Sequence, residues 1–190
     1  MEVEWDRVSI DPEKGLARGF ELLVQRDIGR KWAWSLSYAL SEALDLVDQE
    51  WIPRILDQRH AMTLNVAFRP TPRWRLSTGF HYHSGWPITE ATFSVDTLSD
   101  GSVALERSFN RINAERLPAY HRLDFRVTRS FPLGRGLLQA YLDLFNMYNR
   151  GNLRSYLYWA RYEDGQLMTT RESGEELLPL LPSIGFRWEF

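Results

Sequence analysis

The sequence predicts an all-β chain, namely an antiparallel, up-and-down transmembrane β-barrel segment of about seven membrane strands plus an extracellular hairpin. The last nine residues carry this prediction, because they alternate strictly and place Ile184, Phe186, Trp188 and Phe190 on one face. A period of two indicates a strand. In an outer-membrane barrel such a strand turns its apolar face to lipid and its polar face to the lumen. Loop lengths, described below, give the second observation.

Composition limits how a membrane could be crossed. A length of 190 residues with 44% hydrophobic residues suits one domain, but mean hydropathy is only -0.39. No stretch approaches the ~20 consecutive apolar residues of a membrane helix, so alternating strands would have to do the crossing. The 8 Trp, 8 Tyr and 10 Phe concentrate near the ends of periodic runs, as interfacial girdles require.

The absence of cysteine and the charge of the chain argue against several other kinds of site and partner. With no cysteine, the chain has neither structural disulfides nor thiolate metal sites. A net charge of -2, a pI near 6.1 and basic residues that look dispersed along the sequence argue against nucleic acid as a partner. Residues 1–20 lack the pattern of an export signal. We therefore expect the chain to lack its natural beginning if the mature protein lies beyond the inner membrane.

The first four predicted strands follow from alternation in order. Strand one covers 17–28, and strand two, from Trp32 to Ser41, places large apolar residues on one side and small residues on the other. A predicted loop at 45–60 leads to strand three, 62–68. The prolines in 69–73 cannot donate to a ladder and make a tight connection to strand four, 74–83.

The second half is less regular. Residues 84–120 are predicted to be a long loop, because they are polar and contain Gly, Pro and Asp turn residues. Strands five and six follow at 122–128 and 138–145. A hairpin is predicted from 156–162 and 167–171, which flank the two-residue turn Asp164-Gly165, and the final strand is 182–190.

The connections sort into two classes. Those after strands one, three and five are short, and those after strands two, four and six are long. Outer-membrane barrels have short periplasmic turns and long extracellular loops. The alternation therefore predicts that the long loops lie outside the cell, and that Trp32 and Trp74, each just after a short turn, belong to the periplasmic girdle.

The predicted strand number is odd. Seven up-and-down strands leave the first and last parallel, whereas bacterial single-chain barrels close antiparallel with an even number. An open sheet in lipid also exposes unsatisfied backbone groups at two edges. We therefore expect residues 1–190 to be the C-terminal part of a larger barrel whose earlier strands are absent from this chain.

Several segments resemble one family in order and spacing. They are 15–22, Asp57-Gln58-Arg59-His60, Gly85-Trp86-Pro87-Ile88-Thr89, 116–124, Leu144-Phe145-Asn146-Met147-Tyr148-Asn149, and 181–186 before the last strand. Together they resemble the C-terminal barrel region of TonB-dependent receptors, the plugged outer-membrane transporters. The terminal Phe190 is similar to the C-terminal feature by which the barrel assembly machinery recognises its clients.

The resemblance implies energised uptake of a scarce nutrient: a siderophore, cobalamin, a glycan or a peptide. In this family a barrel of about 22 strands holds a plug domain, which an inner-membrane complex pulls through a periplasmic TonB-contacting motif. The plug and that motif would belong to the missing N-terminal region. This chain would supply the wall, in contact with outer-membrane lipid, and extracellular loops.

Candidate site residues fall into two groups. Ligand contact at the loops and mouth is predicted for Trp86, Trp159, His81 and His83. His81 and His83 share one side of a strand, but no third ligand is predicted nearby, so hydrogen bonding is favoured over metal binding. Residues predicted to face the lumen or the plug are Glu21, Arg122, Asp124, Arg126 and Arg187. Asp57, Arg59, Arg122 and Asp124 could also form charge-assisted hydrogen bonds at the rim.

Other classes remain open at this stage. No hydrolase elbow, zinc-protease motif or phosphate-binding loop is present, which disfavours an enzyme and predicts no cofactor. A complete eight-stranded barrel with a structural or adhesion role would require the 153–162 region to cross the membrane, although that region has no clean apolar face. A soluble β-sandwich would need the apolar faces to pack on each other.

Overall fold

The computed structural model describes residues 11–29, 31–100 and 102–190. All regular structure in these ranges is strand, and no helix there is long and apolar enough to span a membrane. The strands are β1 Lys14–Ile28, β2 Trp32–Val47, β3 Glu50–Pro53, β4 His60–Thr71, β5 Trp74–His83, β6 Pro87–Ile88, β7 Ala91–Thr97, β8 Val103–Phe109, β9 Glu115–Arg116, β10 Tyr120–Leu133, β11 Gly136–Phe145, β12 Tyr156–Glu163, β13 Gln166–Ser173 and β14 Leu181–Glu189.

Seven long strands form one antiparallel sheet in the order β1-β2-β4-β5-β10-β11-β14, with β3 paired to β2. They correspond one for one to the seven predicted strands, so the predicted order, direction and alternation are confirmed. Their lengths run from 9 residues in β14 to 16 in β2. Short turns join β1 to β2, β4 to β5 and β10 to β11, and the other three connections are long.

Two predicted loops were wrong in part, because they contain strands. Within 45–60, β2 continues to Val47 and then pairs with β3 through a turn at Asp48 and Gln49, whose φ angles are 49° and 66°. Within 84–120, β7 and β8 form a hairpin and β6 pairs with β9. Pairing of this kind satisfies backbone N–H and C=O groups that a long irregular loop would leave to solvent.

The hairpin predicted near Asp164-Gly165 is confirmed as β12–β13. Asp164 and Gly165 both have positive φ, 50° and 78°, as a tight hairpin turn requires. This hairpin forms a separate two-stranded sheet, while β14 pairs directly with β11. The eighth crossing strand required by the small-barrel alternative is therefore absent from the described residues.

Register aligns the apolar residues across the whole sheet. One row runs through Val24, Leu36, Leu64, Phe80 and Leu123, each the partner of the next on the adjacent strand. On the same side, Leu142 of β11 is the partner of Val127 and of Ile184 in β14. Because side chains alternate along a strand, the register places apolar residues of all seven strands on one face, called here the apolar face.

The apolar face is not covered. Among the described residues only Ala91 and Leu117 are buried apolar residues, and both lie in the loops. On the apolar face Ile184 is 74% exposed and Phe186 70%, and Trp32, Leu40 and Leu142 are also exposed. The packing of apolar faces on each other that a soluble sandwich needs is therefore not found in the part of the chain that the structure describes.

Candidate functional site: the polar face and the loop-side rim

The opposite side of the sheet is polar and concave. Side chains from both end strands, Gln25 of β1 and Arg187 of β14, line the same open groove together with residues of every long strand between them. Since the two ends of a flat seven-stranded sheet could not share a groove, the sheet must curl toward its polar side. In this arrangement the polar face surrounds a space and the apolar face points away from it.

The residues predicted to face the lumen or the plug all lie on this polar face by register. Glu21 is the partner of Ala39, and Arg187 is the partner of Gln139. Asp124 and Arg126 line the groove, and Arg122 lines a smaller depression beside it. Their role toward a plug stays a prediction, whereas their placement on one side follows from the alternation that predicted it.

A row of charges follows this face near its middle. Arg122 Nη2 lies 2.9 Å from Asp124 Oδ2, and His81 Nε2 lies 3.7 Å from the same oxygen. Arg126 forms a two-pronged ion pair with Asp143 on the neighbouring strand. Positive and negative groups are thus interleaved, so the surface is hydrophilic without a strong net charge of one sign.

The two histidines have different environments. His81 lies next to Asp124, whereas the His83 ring is stacked between Trp86, at a centroid distance of 5.0 Å, and Tyr120, at 4.7 Å. The Nδ1 atom of His83 lies 2.8 Å from the carbonyl oxygen of Ser84. Within the described ranges, no group of three potential metal ligands is found. The shared side of the strand therefore does not bring the two rings to a common partner.

Asp57 connects several segments at the loop-side rim, which is the end of the sheet where the long connections leave it. Its carboxylate is 2% exposed, accepts a hydrogen bond from the Ala43 N–H at 2.6 Å and forms an ion pair with Arg116. Arg116 also donates to the carbonyl oxygens of Asp57, at 3.1 Å, and of Gly85, at 3.0 Å. One buried ion pair therefore ties together β2, the segment before β4, the loop after β5 and β9.

The predicted rim pairs form with different partners. Arg122 pairs with Asp124 on its own strand and not across the rim, and Asp57 pairs with Arg116. Arg59 pairs with Glu42 at 2.7 Å.

Asparagines fix the strand-to-loop passage after β11. Asn146 is fully buried: its side chain donates to the carbonyl oxygens of Arg150 and Leu178 and accepts from the Arg150 N–H. Asn152, 4% exposed, accepts a hydrogen bond from the His121 N–H and donates one to the His121 carbonyl oxygen, so its side-chain amide pairs with the backbone of β10. Within the asparagine segment that carries the resemblance, the buried side chain of Asn146 therefore holds two neighbouring backbone segments together.

Gly85 is required by a close approach. A Cβ atom at this position would collide with the carbonyl group of Leu117, whose N–H donates to the carbonyl oxygen of Trp86 at 3.0 Å. Trp86 is therefore held between this backbone contact and the His83 ring. Its position argues for a packing role, which weakens the prediction that Trp86 contacts a ligand.

Trp159, unlike Trp86, is largely exposed to solvent. It lies on the outward side of β12 and is 58% exposed. The other side of β12 carries Tyr156, with the guanidinium of Arg171 4.7 Å from its ring centroid, and Arg171 reaches Glu90 at 3.4 Å. The hairpin is therefore fixed to the loops on one side and presents Trp159 to solvent on the other.

Local electrostatics at the loops follow burial. Desolvation raises the pKa of the Tyr158 phenol, and the Glu90 carboxylate raises it further. Desolvation also raises the pKa of Tyr148, whose hydroxyl lies 2.6 Å from His121 Nδ1. Hydrogen bonds from Ser102 lower the pKa of Asp100 beside the β7–β8 turn. The two tyrosines therefore stay neutral over the physiological pH range.

Sequence reasoning missed Arg116, Asn152 and the β7–β8 hairpin. Arg116 and Asp57 are 59 positions apart and nothing in the sequence links them. The hairpin could have been found, because Asp100-Gly101 is the same turn dipeptide as Asp164-Gly165.

No family model matches the chain, and no curated protein is significantly similar to it.

Proposed function

We propose that this chain forms wall and extracellular loops of an outer-membrane β-barrel of the TonB-dependent receptor type, which takes up a scarce nutrient in an energised manner. The observation that carries the proposal is the inverted distribution of polarity. The described residues place the apolar side chains of the long strands on the outside of a curled sheet, whereas the buried positions, which include the polar residues Asp57, Asn146 and Asn152, lie on the loop side. Lipid is the solvent in which such an arrangement is favourable.

The many large apolar side chains of the apolar face make contact with water unfavourable. Burying a side chain such as Leu or Phe is worth about 1.5–3 kcal/mol, and an uncovered apolar patch of this extent marks an interaction surface. The girdle residues support the lipid interpretation. Trp32 stacks on Phe68 with a centroid distance of 4.2 Å just above the short turns, where interfacial aromatics would be expected.

The open sheet supports a larger barrel. Six antiparallel steps separate β1 from β14, so these two strands run in the same direction, and no ladder joins them in the described residues. Closure by an antiparallel ladder would require an odd number of further strands. We therefore propose that additional strands, together with a plug and its TonB-contacting motif, complete the protein, and that localisation is the outer membrane of a Gram-negative bacterium.

The receptor role is supported by the long loops. Three long connections on one side carry two hairpins, β7–β8 and β12–β13, linked by the ion pair between Arg171 and Glu90. Structured loops over a barrel mouth suit ligand capture, and Trp159 is the candidate contact, since stacking on a sugar ring or an aromatic group needs an exposed face.

Uptake measured with and without the parent gene tests the transport proposal. In cells with a working TonB system, deletion should abolish growth-linked accumulation of the nutrient, and the gene carrying the intact loops should restore it. A matched strain without TonB provides the control. Uptake that is indifferent to TonB would refute the energised mechanism, even if the chain resides in the outer membrane.

A further inference from the structure

The short turns gather positive charge at one end of the sheet. The segments 25–33, 67–75 and 129–137 contain eight Lys or Arg residues and one carboxylate, Asp27, while the rest of the chain has 15 basic and 24 acidic residues. These segments are far apart in sequence, but strand order places all three turns at the same end. The dispersal of basic residues inferred from the sequence is therefore wrong for the folded chain.

Six of these side chains form what we call the basic belt. They are Arg26, Lys31, Arg69, Arg73, Arg129 and Arg135, and all are exposed. In the described part of the chain none of them forms an ion pair with a carboxylate. Asp27 is the partner of Ala33 and lies on the polar face, away from the apolar one. Glu189 and the C-terminal carboxylate lie at the same end, but Glu189 pairs with Arg187 at 2.7 Å. Among the described residues the belt therefore keeps a net positive charge.

Two members of the belt project from the apolar face itself. Arg129 is the partner of Trp74, and Arg26 is the partner of Trp34. The Arg129 guanidinium lies 5.0 Å from the Trp74 ring centroid and 4.7 Å from that of Phe131. A guanidinium that contacts two aromatic rings beside the short turns, on the face proposed to meet lipid, is suited to the level of the lipid headgroups.

We propose that the basic belt binds the headgroups of anionic phospholipids in the leaflet next to the short turns. This inference rests on the proposed membrane location. Arg offers paired N–H donors that match two phosphate oxygens, and each Lys or Arg near an anionic membrane surface strengthens attachment. The apolar face directly above the belt accommodates the acyl chains, which a free phosphate ion would lack.

Charge complementarity selects anionic over zwitterionic lipid. A phosphatidylcholine headgroup carries its own cation and offers no net charge to the belt, whereas phosphatidylglycerol carries one uncompensated phosphodiester. The loop end of the sheet, with its excess of carboxylates, would repel the same headgroups. The chain should therefore recruit anionic lipid at one end only.

Quenching of tryptophan fluorescence by brominated lipid tests the proposal. The parent protein, in which further strands complete the barrel, is folded into vesicles of phosphatidylcholine and phosphatidylglycerol in equal parts, with bromine on one lipid or on the other. All other tryptophans are replaced by phenylalanine, so that Trp32 and Trp74, which lie at the belt, report which lipid is adjacent. We expect phosphatidylglycerol to associate at least about fivefold more strongly than phosphatidylcholine, the effect of a single nearby cation. High salt should reduce this preference.

Arginine variants test which end of the sheet causes the lipid preference. The triple variant Arg26→Gln, Arg129→Gln, Arg135→Gln removes half of the belt and should lower the preference severalfold, and the variant with all six belt residues changed to Gln should bring it close to one. Arg129→Lys alone should largely keep it, because the charge remains. A matched triple variant at the loop end, Arg111→Gln, Arg154→Gln, Arg161→Gln, should behave like the unaltered chain.

The possible outcomes separate the two proposals. Equal quenching by both lipids, or an equal loss in the loop-end triple variant, would overturn headgroup selection and leave the membrane location intact. Quenching by neither lipid would overturn the membrane location and this inference with it.

Discussion

Replacing Asp57 with alanine should loosen the whole loop-side rim, because four chain segments meet at this carboxylate. The Ala43 N–H would lose its acceptor, and an unsatisfied buried donor costs about 1–3 kcal/mol. Arg116 would lose its ion pair. Breaking a fully buried pair costs about 3–5 kcal/mol, but the Arg116 side chain is 30% exposed and keeps two carbonyl acceptors, so a much smaller share applies. We expect a total loss of about 2–4 kcal/mol.

The assay is the free energy of unfolding of the parent protein in vesicles or detergent, combined with hydrogen exchange resolved by segment. Exchange should accelerate first at 54–60, 85–87 and 114–117. Asp57→Asn keeps an acceptor for Ala43 and should lose less stability than alanine. Asp96→Ala, at an exposed carboxylate of β7, should stay within about 0.5 kcal/mol of the unaltered chain. Equal stability of the Asp57 and Asp96 alanine variants would refute the reasoning.

Three further predictions use other parts of the fold. Leu64→Arg on the apolar face should cost about 2–4 kcal/mol of stability in a bilayer, whereas Asn65→Arg on the polar face should cost little; similar losses would contradict the assignment of the faces. Gly85→Ala should push a Cβ atom into the Leu117 carbonyl and speed exchange of the Leu117 amide, and unchanged exchange would mean that the loop tolerates the group. Trp159→Ala should weaken nutrient binding about 2- to 13-fold, as loss of one stacking contact implies, with expression and stability unchanged; unaltered affinity would remove Trp159 from the ligand site.

The seven-stranded sheet was predictable from the sequence, because an apolar pattern of period two identifies a strand and also the face to which each side chain points. The partners Leu36 and Leu64, for example, each fall on an alternating apolar position, and the observed register pairs them directly. A shift of the pairing register by one residue would have moved every apolar residue of a strand to the polar face. This strong constraint explains why all seven long strands were found in order.

The loops were less predictable, because their strands are short and mix polar and apolar residues on both sides. The β2–β3 turn uses Asp48 and Gln49 at positive φ, without the glycine that usually marks such a turn. Asp57 and Arg116 meet only after β2, β4, β5 and β10 are in place. Contacts of this kind depend on the assembled sheet and leave no local pattern.

The central claim is that the apolar face meets lipid, and the absence of cysteine in the chain allows a direct measurement. Single cysteines at Leu36, Ser37 and Tyr38 of β2 would each carry a nitroxide label, in the parent protein reconstituted in vesicles and freed of any other cysteine. Electron paramagnetic resonance would then compare collisions with oxygen, which concentrates in lipid, and with a water-soluble nickel reagent. We predict high oxygen and low nickel accessibility at 36 and 38, and the reverse at 37. Protection of positions 36 and 38 from both reagents, as in a sealed protein core, would contradict the account.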